Sequence, residues 1–441
     1  IYTYRARPDL AVGEAVFIPL GPRRAIGFVL DVRCVSPEEL GFPMSALKDI
    51  GTTIRGLDLP GPTVDLVREV SRQTLTSIST CLGLAVPPGI KDRLVTSWSR
   101  VDGGPEEKLS PTQDETMRVL LEGPILDSKG KALPDGAKRT LRSLEKRGLV
   151  RSDVSLAPLT DRRRLTGNLR LTADHEKVEQ FLSGQGKRRP AQALTLMRLQ
   201  GSEVASFSVQ EIKTLGGVTD QTIKALIDVG LLESVSEDTT PQPAPTLNPG
   251  QAAAVAKMTA AIERGVFEAF LLFGVTGSGK TEVYLRAAQE ALKLGRQVLY
   301  LVPEIALTAQ VIAQLRARFG QRVAVLHSNM TPAERLESWV RVRTGAAPVV
   351  LGARSALFAP MSNLGLIVMD EEHEQSYKQD NAPRYHSKNL ARWLAQQFGC
   401  PLVLGSATPS LESFQEATMG RVTRLDLPVR AAAAQMPTVF I

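Results

Sequence analysis

The sequence predicts a multidomain chain with a small, mostly-β N-terminal domain, an α+β middle region and a C-terminal α/β domain built on a parallel sheet. Three observations support this fold class. Apolar residues alternate near the start, a helix–glycine–strand pattern occurs twice in the middle, and buried-type strands alternate with helices after residue 247. The chain has 441 residues, of which 43% are hydrophobic, which is enough for about two to four domains with cores.

The composition favours a reducing compartment and is compatible with a polyanionic partner. Cys34, Cys81 and Cys400 lie far apart in sequence, so they predict neither a metal pair nor a disulfide framework. Lys and Arg outnumber Asp and Glu by 53 to 46, an excess that fits either nucleic-acid binding or an ordinary basic protein. No run approaches the roughly 20 apolar residues of a membrane span. Because Ile1 is not Met and no signal peptide is recognised, we expect a trimmed, cytoplasmic protein with no membrane partner, nucleoid-associated where it binds DNA.

Residues 1–101 form the first predicted domain. Apolar side chains alternate over residues 16–20, and the Gly-Pro pair at 21–22 predicts a turn. A second apolar segment follows at residues 26–30, so the pattern is typical of a β-hairpin. Residues 62–85 then predict helical structure.

Residues 102–240 contain an internal repeat. Residues 139–150 and 221–232 both read polar-Thr-apolar-basic-small-Leu, with Gly-Leu-apolar at the same later offset. Each predicts a helix that ends at a glycine and is followed by a strand. That ending is typical of winged-helix units, and we predict two, at about 109–155 and 188–235. Such units bind DNA in some proteins and serve as interaction or spacer modules in others.

The third predicted domain, residues 241–441, begins with a phosphate-binding pattern. Residues 270–273 predict a buried strand that runs into G-x-x-x-x-G-K-[ST] and then a helix, the context that a P-loop needs. Small residues let successive backbone N–H groups wrap phosphates at the helix N-terminus. Lys280 is expected to contact the β and γ oxygens of ATP and Thr281 to bind Mg²⁺; the alternative is a simple glycine turn. The candidate ATP-binding residues are Gly274, Thr276, Gly277, Ser278, Gly279, Lys280 and Thr281.

An acidic sequence, Asp-Glu-Glu-His at positions 370–373, follows a second apolar strand at 364–369. A carboxylate at the end of a parallel strand beside a P-loop can hold hydrated Mg²⁺, which predicts a metal-binding role for Asp370. Glu371 is placed to orient or deprotonate the attacking water. A solvated acidic helix start is the alternative, and the apolar strand before the acids disfavours it.

Two further segments follow apolar strands. Ser406 and Thr408 are paired hydroxyls that can sense the γ-phosphate and relay its state to the DNA side. Arg354 and Ser355 are suited to phosphate contacts on a nucleic-acid strand. Each segment taken alone is also compatible with an ordinary strand-to-helix turn.

The order of the P-loop, the DEEH box and the Ser-Ala-Thr segment resembles superfamily 2 helicases. Longer strings at residues 274–284, 302–308 and 370–379 resemble the PriA family of replication-restart helicases in particular. The resemblance is strong over about residues 247–430 and weaker before them. It implies that the third domain is a RecA-like P-loop motor lobe and that the middle region is a winged-helix region.

The resemblance also implies roles for individual residues. The sequence Arg-Tyr-His at 384–386 is similar to the family's aromatic-rich loop, which couples DNA contact to ATP turnover. Residues 247–251 are similar to the family's adenine-side motif, with Gln251 as the expected base contact. The coupling residues expected on this basis are His373, Arg384, Tyr385, Ser406 and Thr408.

At the N-terminus, Tyr2, Tyr4, Gly21 and Lys48 occupy positions that resemble the family's 3′-end-binding domain, which takes the last base of a nascent strand. Aromatic side chains suit base stacking and a lysine suits a phosphate. The alternative is that the tyrosines are core residues of a strand. Thr3 stands where the family usually has an aspartate that reads the base.

The family's function implies ATP and Mg²⁺ as cofactors and a 3′ to 5′ DNA helicase of replication restart. Its expected partners are forked or branched DNA, single-stranded DNA, primosome proteins and the single-stranded-DNA-binding protein. The alternatives are a fork-binding scaffold with an inactive motor and an unrelated superfamily 2 DNA translocase.

Several features depart from the family's pattern. Lys388-Asn389 replaces the usual Arg-Asp after Arg-Tyr-His, and we count two winged-helix units where one is usual. The family's zinc-binding cysteine clusters and second motor lobe have no counterpart in these 441 residues. We therefore expect no zinc ligands in this chain, and very slow ATP hydrolysis by this chain alone.

Overall fold

A computed structural model describes residues 2–101, 108–128, 132–157, 168–172, 174–184, 186, 189–200, 207–208, 212, 218–234, 245–307, 309–328 and 330–430. The chain divides into two compact units. The first combines residues 1–158 with 245–441, and the second is residues 159–244. In the ranges just given, no helix combines the length and the apolar character that crossing a membrane requires.

The predicted N-terminal hairpin is present. Strands β1 (Ala15–Leu20) and β2 (Arg23–Phe28) pair antiparallel around a turn at Gly21, whose φ of +58° suits glycine. A short strand β3 (Ile54–Arg55) follows. The predicted helical segment forms α1 (Gly61–Thr74) and α2 (Ile78–Ala85), so the helix prediction is confirmed.

The next sheet belongs to the first winged-helix-like unit. Its elements are β4 (Leu94–Arg100), α3 (Pro111–Glu122), β5 (Ile125–Ser128), α4 (Asp135–Lys146) and β6 (Val150–Leu156). The strand order is β3-β6-β4-β5, with β4 antiparallel to both β5 and β6. Trp98 on β4 packs with Leu141 and Leu144 on α4 in one core. Strand β4, which lies before the predicted boundary at residue 101, pairs with both β5 and β6 of this unit.

The second winged-helix-like unit has the same strand arrangement as the first. Its described elements are β7 (Asn168–Leu171), α5 (His175–Ser183), α6 (Pro190–Gln200), β8 (Phe207–Ser208), α7 (Asp220–Asp228) and β9 (Leu232–Ser234). The strand order β8-β7-β9 matches β5-β4-β6 of the first unit. Strand β7, which lies before the predicted start at about residue 188, pairs with both β8 and β9.

In both winged-helix-like units, a helix ends at a glycine and a strand follows. The two helix ends are closed by equivalent hydrogen bonds. Gly148 and Gly230 have φ of +74° and +72°, the left-handed conformation that ends a helix. The N–H of Leu149 donates to the Leu144 carbonyl at 3.1 Å, and the N–H of Leu231 donates to the Leu226 carbonyl at 2.9 Å. The repeat that the sequence predicts is therefore present in the backbone.

The C-terminal domain is a seven-stranded parallel sheet. Its strands are β10 (Ala269–Gly274), β11 (Gln297–Leu301), β12 (Val323–Leu326), β13 (Val349–Gly352), β14 (Leu364–Met369), β15 (Leu402–Ser406) and β16 (Thr423–Leu427). The order is β12-β13-β11-β14-β15-β10-β16, and every pair is parallel. The carboxyl ends of all seven strands therefore meet at one edge, where open α/β sheets bind ligands.

Helices cover both faces of this sheet. They are α8 (Pro249–Arg264), α9 (Lys280–Lys293), α10 (Ala309–Phe319), α11 (Pro332–Arg343), α12 (Ser387–Phe398) and α13 (Leu411–Thr418). Alternate strand residues enter different cores, as the period of a strand requires. Phe270 and Leu272 belong to one core and Leu271 belongs to the other. The predicted α/β domain is thus confirmed.

The N-terminal helices share a core with this domain. Buried residues of α1 and α2 join the same cluster as those of α11 and α12. The indole Nε1 of Trp339 donates to the Ala85 carbonyl at 2.9 Å in a buried position. Arg343 donates to the Asp58 carbonyl at 3.0 Å and pairs with its carboxylate. The predicted first and third domains therefore pack as parts of one compact unit.

Candidate nucleotide site and DNA-facing segments

The P-loop lies at the carboxyl end of β10 and runs into α9. Gly277 and Gly279 have φ of +81° and +80°, a conformation that other residues rarely adopt. A Cβ on Gly274 would lie 2.5 Å from Ser278 Oγ and 3.0 Å from Leu427 Cβ, so a larger residue there would displace neighbouring side chains. The backbone therefore has the curvature that lets N–H groups surround a phosphate.

Two side chains test whether this loop suits a phosphate. Lys280 is 9% exposed, and its Nζ donates to the Gly274 carbonyl at 3.0 Å. Ser278 Oγ is buried and has no hydrogen-bond partner within the described ranges. Buried hydroxyls normally find a partner, and a phosphate oxygen would supply one. The residues present therefore fit a nucleotide phosphate.

Asp370 follows β14, which is separated from β10 by the single strand β15. Its Oδ1 accepts from the Tyr284 hydroxyl at 3.1 Å, and its Oδ2 lies 3.5 Å from the Tyr300 hydroxyl. Burial, and then the charge of Glu371, raise the pKa of Asp370 to about 6. Its carboxylate and the Thr281 hydroxyl are hard oxygen ligands of the kind that Mg²⁺ prefers. The donor set therefore fits a magnesium ion shared with a nucleotide.

Glu371 has an unusual backbone conformation. Its φ is +46°, and Leu75 is the other non-glycine residue with positive φ among those described. Such a conformation costs about 1–3 kcal/mol and persists only where the surroundings enforce it. The Glu371 N–H donates to Asp370 Oδ1 at 3.1 Å. Its side chain is 35% exposed, so it can reach a water molecule at the edge of the sheet.

His373 connects this acidic segment to the end of β15. Its Nδ1 lies 2.8 Å from Ser406 Oγ, and its Nε2 lies 3.4 Å from Thr408 Oγ1. The Thr408 N–H also donates to Ser406 Oγ at 2.9 Å. The structure therefore brings together three of the five predicted coupling residues, His373, Ser406 and Thr408.

Arg354 and Ser355 occupy a short 3-10 helix after β13, Arg354–Phe358. Arg354 Nη1 donates to the carbonyls of Ser376 and Lys378, at 2.9 and 3.0 Å. The Ser355 side chain is exposed. Arg354 thus already bonds to the bend after the acidic segment, and Ser355 is the more accessible of the two predicted DNA contacts.

The aromatic-rich loop splits into one exposed and one buried residue. Arg384 is exposed, and its Nε donates to the Asp380 carbonyl at 2.9 Å. Tyr385 is 5% exposed and packs edge-on against Phe358, with ring centroids 5.5 Å apart. Burial raises the pKa of Tyr385 to about 12. Any coupling through Tyr385 therefore acts through packing in this conformation, because its ring does not face solvent.

Gln251 is 4% exposed, and its amide bonds to protein groups at both ends. Its Oε1 accepts from the Asn248 N–H at 2.9 Å, and its Nε2 donates to the Ser278 carbonyl at 2.9 Å. The first bond belongs to a capping box at the start of α8. Gln251 thus links the start of α8 to the P-loop. An adenine contact would have to use its remaining N–H or lone pair.

The N-terminal candidate residues come from three separate segments that meet. The Tyr4 hydroxyl donates to the Pro19 carbonyl at 3.1 Å, two residues before the Gly21 turn. The Arg5 N–H donates to the Lys48 carbonyl at 2.9 Å. Tyr2 is 66% exposed. We call Tyr2, Tyr4, Gly21 and Lys48 the tyrosine surface.

Sequence reasoning missed the tyrosines around Asp370. Tyr284 and Tyr300 bond to its carboxylate, and the Tyr377 hydroxyl donates to its backbone carbonyl at 2.7 Å. Burial, followed by the charge of Asp370, raises the pKa of all three hydroxyls. Tyr284 lies four residues after Lys280 on one helix, a spacing that places both side chains on one face and that could have revealed it.

The described residues do not form a metal site from protein ligands alone. Within the part of the chain that the structure describes, no group of three or more His, Cys, Asp or Glu side chains could hold an ion by itself. Cys81 and Cys400 are buried, and burial raises the pKa of the Cys400 thiol to about 12. The Mg²⁺ site at Asp370 would therefore need the nucleotide's oxygens to be complete.

Comparisons with known proteins agree with this geometry. A family model described as a DEAD/DEAH box helicase matches residues 248–417. A model described as the 3′ DNA-binding domain (3′BD) of PriA matches residues 1–87. Together they cover the sheet domain with its nucleotide site and the domain that carries the tyrosine surface.

Individual relatives give the same result. The replication restart proteins PriA of Bacillus subtilis (strain 168) and of Synechocystis sp. (strain PCC 6803) are each 31% identical, over 98% and 100% of this chain and 54% of each relative. PriA of Treponema pallidum (strain Nichols) is 50% identical over 39% of this chain and 26% of the relative. The chain thus spans about half the length of the first two. These matches, with both domain models, show that the chain is similar to replication restart proteins PriA over nearly its whole length, with a region like a 3′ DNA-binding domain at residues 1–87 and a helicase domain of the DEAD/DEAH box type at residues 248–417.

Proposed function

We propose that this chain is the DNA-recognising front half of an ATP-driven 3′ to 5′ DNA helicase of replication restart. The supporting observation is that Lys280, Asp370 and Glu371 converge at one edge of the sheet, in the same compact unit as the tyrosine surface. Its proposed substrates are ATP and forked or branched DNA. Primosome proteins and the single-stranded-DNA-binding protein are its proposed partners.

In the proposed reaction, the Lys280 ammonium leaves the Gly274 carbonyl and binds the β and γ phosphate oxygens. Thr281 and Asp370 would hold Mg²⁺, which neutralises charge on the phosphates when it is bound. Glu371 accepts a proton from the attacking water as its oxygen bonds to the γ phosphorus. The bond from that phosphorus to the β–γ bridging oxygen breaks, and the products are ADP and phosphate.

The coupling to DNA is proposed to run through hydrogen bonds that already exist. His373 bonds to Ser406, so loss of the γ phosphate can alter the segment at the end of β15. Arg354 bonds to the bend that contains Tyr377, whose hydroxyl donates to the backbone carbonyl of Asp370. A DNA strand that contacts Ser355 would therefore act on the backbone of the metal-binding residue through a short, continuous path.

The tyrosine surface is proposed to receive the 3′ end of a nascent strand. Tyr2 is exposed enough to stack on a base. Lys48 is exposed and can contact a phosphate. Because Thr3 replaces the family's usual aspartate, we propose that end recognition here depends on stacking and the 3′-hydroxyl more than on reading the base.

A strand-displacement assay tests the proposal. The full-length gene product, ATP and Mg²⁺ are mixed with partial duplexes that carry either a 3′ or a 5′ single-stranded tail. Faster displacement on the 3′-tailed duplex is expected, and faster displacement of a fork with a free 3′-hydroxyl than of one with a blocked end. Fork binding without ATP-dependent displacement would instead favour a scaffold with an inactive motor.

A further inference from the structure

Glu372, the residue between the proposed base and His373, has a fully buried carboxylate. Its side chain is 0% exposed. It accepts from the Ser410 N–H at 2.7 Å, from the Ser410 hydroxyl at 3.1 Å and from the Ser413 hydroxyl at 2.9 Å. Buried carboxylates are rare unless they are paired and fully hydrogen-bonded. The proposed hydrolysis gives this residue no role.

The partner of Glu372 is Lys388, in the first turn of α12. Its Nζ lies 2.9 Å from Glu372 Oε2, and it also donates to the Ser410 and Ser413 hydroxyls. Burial opposes ionisation of Glu372, but the Lys388 and Ser410 hydrogen bonds outweigh it and hold the pKa below its ordinary value. Lys388 is the position at which this chain departs from the family's usual arginine.

This ion pair joins three segments that the proposed function uses. Glu372 belongs to the acidic segment, Lys388 follows the aromatic-rich loop by two residues, and Ser410 caps α13 just after the Ser-Ala-Thr segment. The Glu372 N–H also donates to the Gly405 carbonyl at 3.0 Å. Glu372 is therefore fixed through both its backbone and its side chain.

Glu371, the residue immediately before Glu372, has the strained left-handed backbone conformation. A left-handed glutamate needs surroundings that enforce its conformation. On its N-terminal side, Asp370 is held by the hydroxyls of Tyr284 and Tyr377. On its C-terminal side, the corresponding anchor is the Glu372–Lys388 pair. Glu371 thus lies between two fixed residues, one of which depends on Lys388.

We propose that the Lys388–Glu372 ion pair is a positioning element for Glu371. The pair holds the backbone of the base in its left-handed conformation and transmits the position of the loop at 384–386 to it. Because the Glu372 carboxylate is fully buried and Lys388 bonds to it, the pair acts through the neighbouring Glu371. This inference rests on the proposed function, because it assigns the pair to the ATPase step.

The test compares kcat, KM for ATP and nucleotide Kd of the full-length gene product with saturating single-stranded DNA. Lys388→Met is expected to lower kcat about 10–100-fold, the usual cost of losing a residue that orients a catalytic group. Its nucleotide Kd is expected to stay within about threefold of the wild-type value, because the P-loop is untouched. Lys388→Arg keeps the charge and is expected to restore most of kcat.

A matched control distinguishes positioning from stability. Arg392, on the same helix, pairs with Glu416 on α13, with Nη1 2.8 Å from Oε1. Arg392→Met removes an ion pair that α12 makes with α13 without touching the acidic segment, and it is expected to leave kcat unchanged. Where Lys388→Met does not fold, the double variant Glu372→Gln/Lys388→Met removes both charges and is expected to fold with kcat lowered and Kd retained.

Three results would overturn the inference. In the first, Lys388→Met or the folded double variant turns over as fast as Arg392→Met. In the second, Lys388→Arg is as slow as Lys388→Met. In the third, Kd for the nucleotide rises in parallel with the loss of kcat. A wild-type protein that binds nucleotide but shows no DNA-stimulated turnover would reject the proposed function itself, and the inference with it.

Discussion

The nucleotide site and the tyrosine surface are built in opposite ways. At the nucleotide site, Lys280 is buried, Asp370 is half-buried, and both are already bonded to neighbouring groups. At the tyrosine surface, Tyr2 is 66% exposed and Lys48 is exposed, and the segments meet through a few backbone contacts. Phosphate and metal chemistry needs charges fixed in advance, whereas stacking on a strand end needs an accessible ring. The difference predicts large, specific effects of substitution at the first site and smaller, graded effects at the second.

The largest expected effect is on turnover. Glu371→Gln is expected to lower kcat for ATP in the full-length gene product by roughly 10²–10⁴-fold, because the amide cannot accept the proton from water. Nucleotide affinity is expected to persist. Glu374→Gln, three residues later on the same bend, is the control and is expected to hydrolyse ATP normally. Normal turnover by Glu371→Gln would show that another group is the base.

The next effect is on nucleotide binding. Lys280→Ala is expected to weaken Mg²⁺-ATP or Mg²⁺-ADP binding by at least about 30-fold, since losing one member of a buried charge pair costs roughly 2–5 kcal/mol. Lys293→Ala, at the exposed end of the same helix, is the control. Calorimetry on the 441-residue chain measures both. Equal affinities in the wild type and Lys280→Ala would reject the P-loop assignment.

A smaller effect, on stability, is expected where the N-terminal helices α1 and α2 pack against the sheet domain. Trp339→Phe leaves the buried Ala85 carbonyl without its donor, which is expected to lower the free energy of unfolding by about 1–3 kcal/mol. Trp393→Phe changes a partly buried indole that packs against the same core, and it is the control. Urea denaturation measures the difference. Equal stability of the two variants would show that the Trp339 bond does not hold the N-terminal helices to the sheet domain.

The smallest effect is expected at the tyrosine surface. Tyr2→Ala is expected to weaken binding of a fork with a free 3′ end by roughly tenfold, within the 1–3 kcal/mol of a stacked base. Tyr2→Phe keeps the ring and is expected to bind like the wild type. Fluorescence anisotropy with free and blocked 3′ ends provides the comparison. An unchanged preference for the free end in Tyr2→Ala would remove Tyr2 from end recognition.

The same contrast explains what the sequence could predict. The P-loop and the acidic segment are local strings, and each follows a strand whose parallel neighbours bring it to one edge. The hairpin at Gly21 and the two helix–glycine–strand endings are likewise local patterns. These features could be predicted because the chemistry and the backbone conformation are set by residues adjacent in the chain.

Features set by distant residues could not be predicted. The sequence analysis places the segment of β4 in the first predicted domain, whereas the structure pairs β4 with β6, 50 or more residues later, and the sequence alone gives no partner for it. Tyr385 carries an aromatic pattern that suits DNA, yet its ring is buried against Phe358. In the sequence, Lys388 stands out only as a departure from the family's usual arginine. Its pairing with Glu372 could not be predicted, because the two residues are 16 positions apart and meet only in the folded chain.

The most direct test of the whole account is steady-state ATP hydrolysis by the full-length gene product, measured with and without forked DNA. We expect forked DNA to stimulate turnover in the wild type and to have no effect in Lys280→Ala, because hydrolysis depends on the P-loop and responds to the DNA-facing segments. Turnover that is the same with and without DNA, or DNA-stimulated turnover that survives Lys280→Ala, would contradict a DNA-coupled motor at this site.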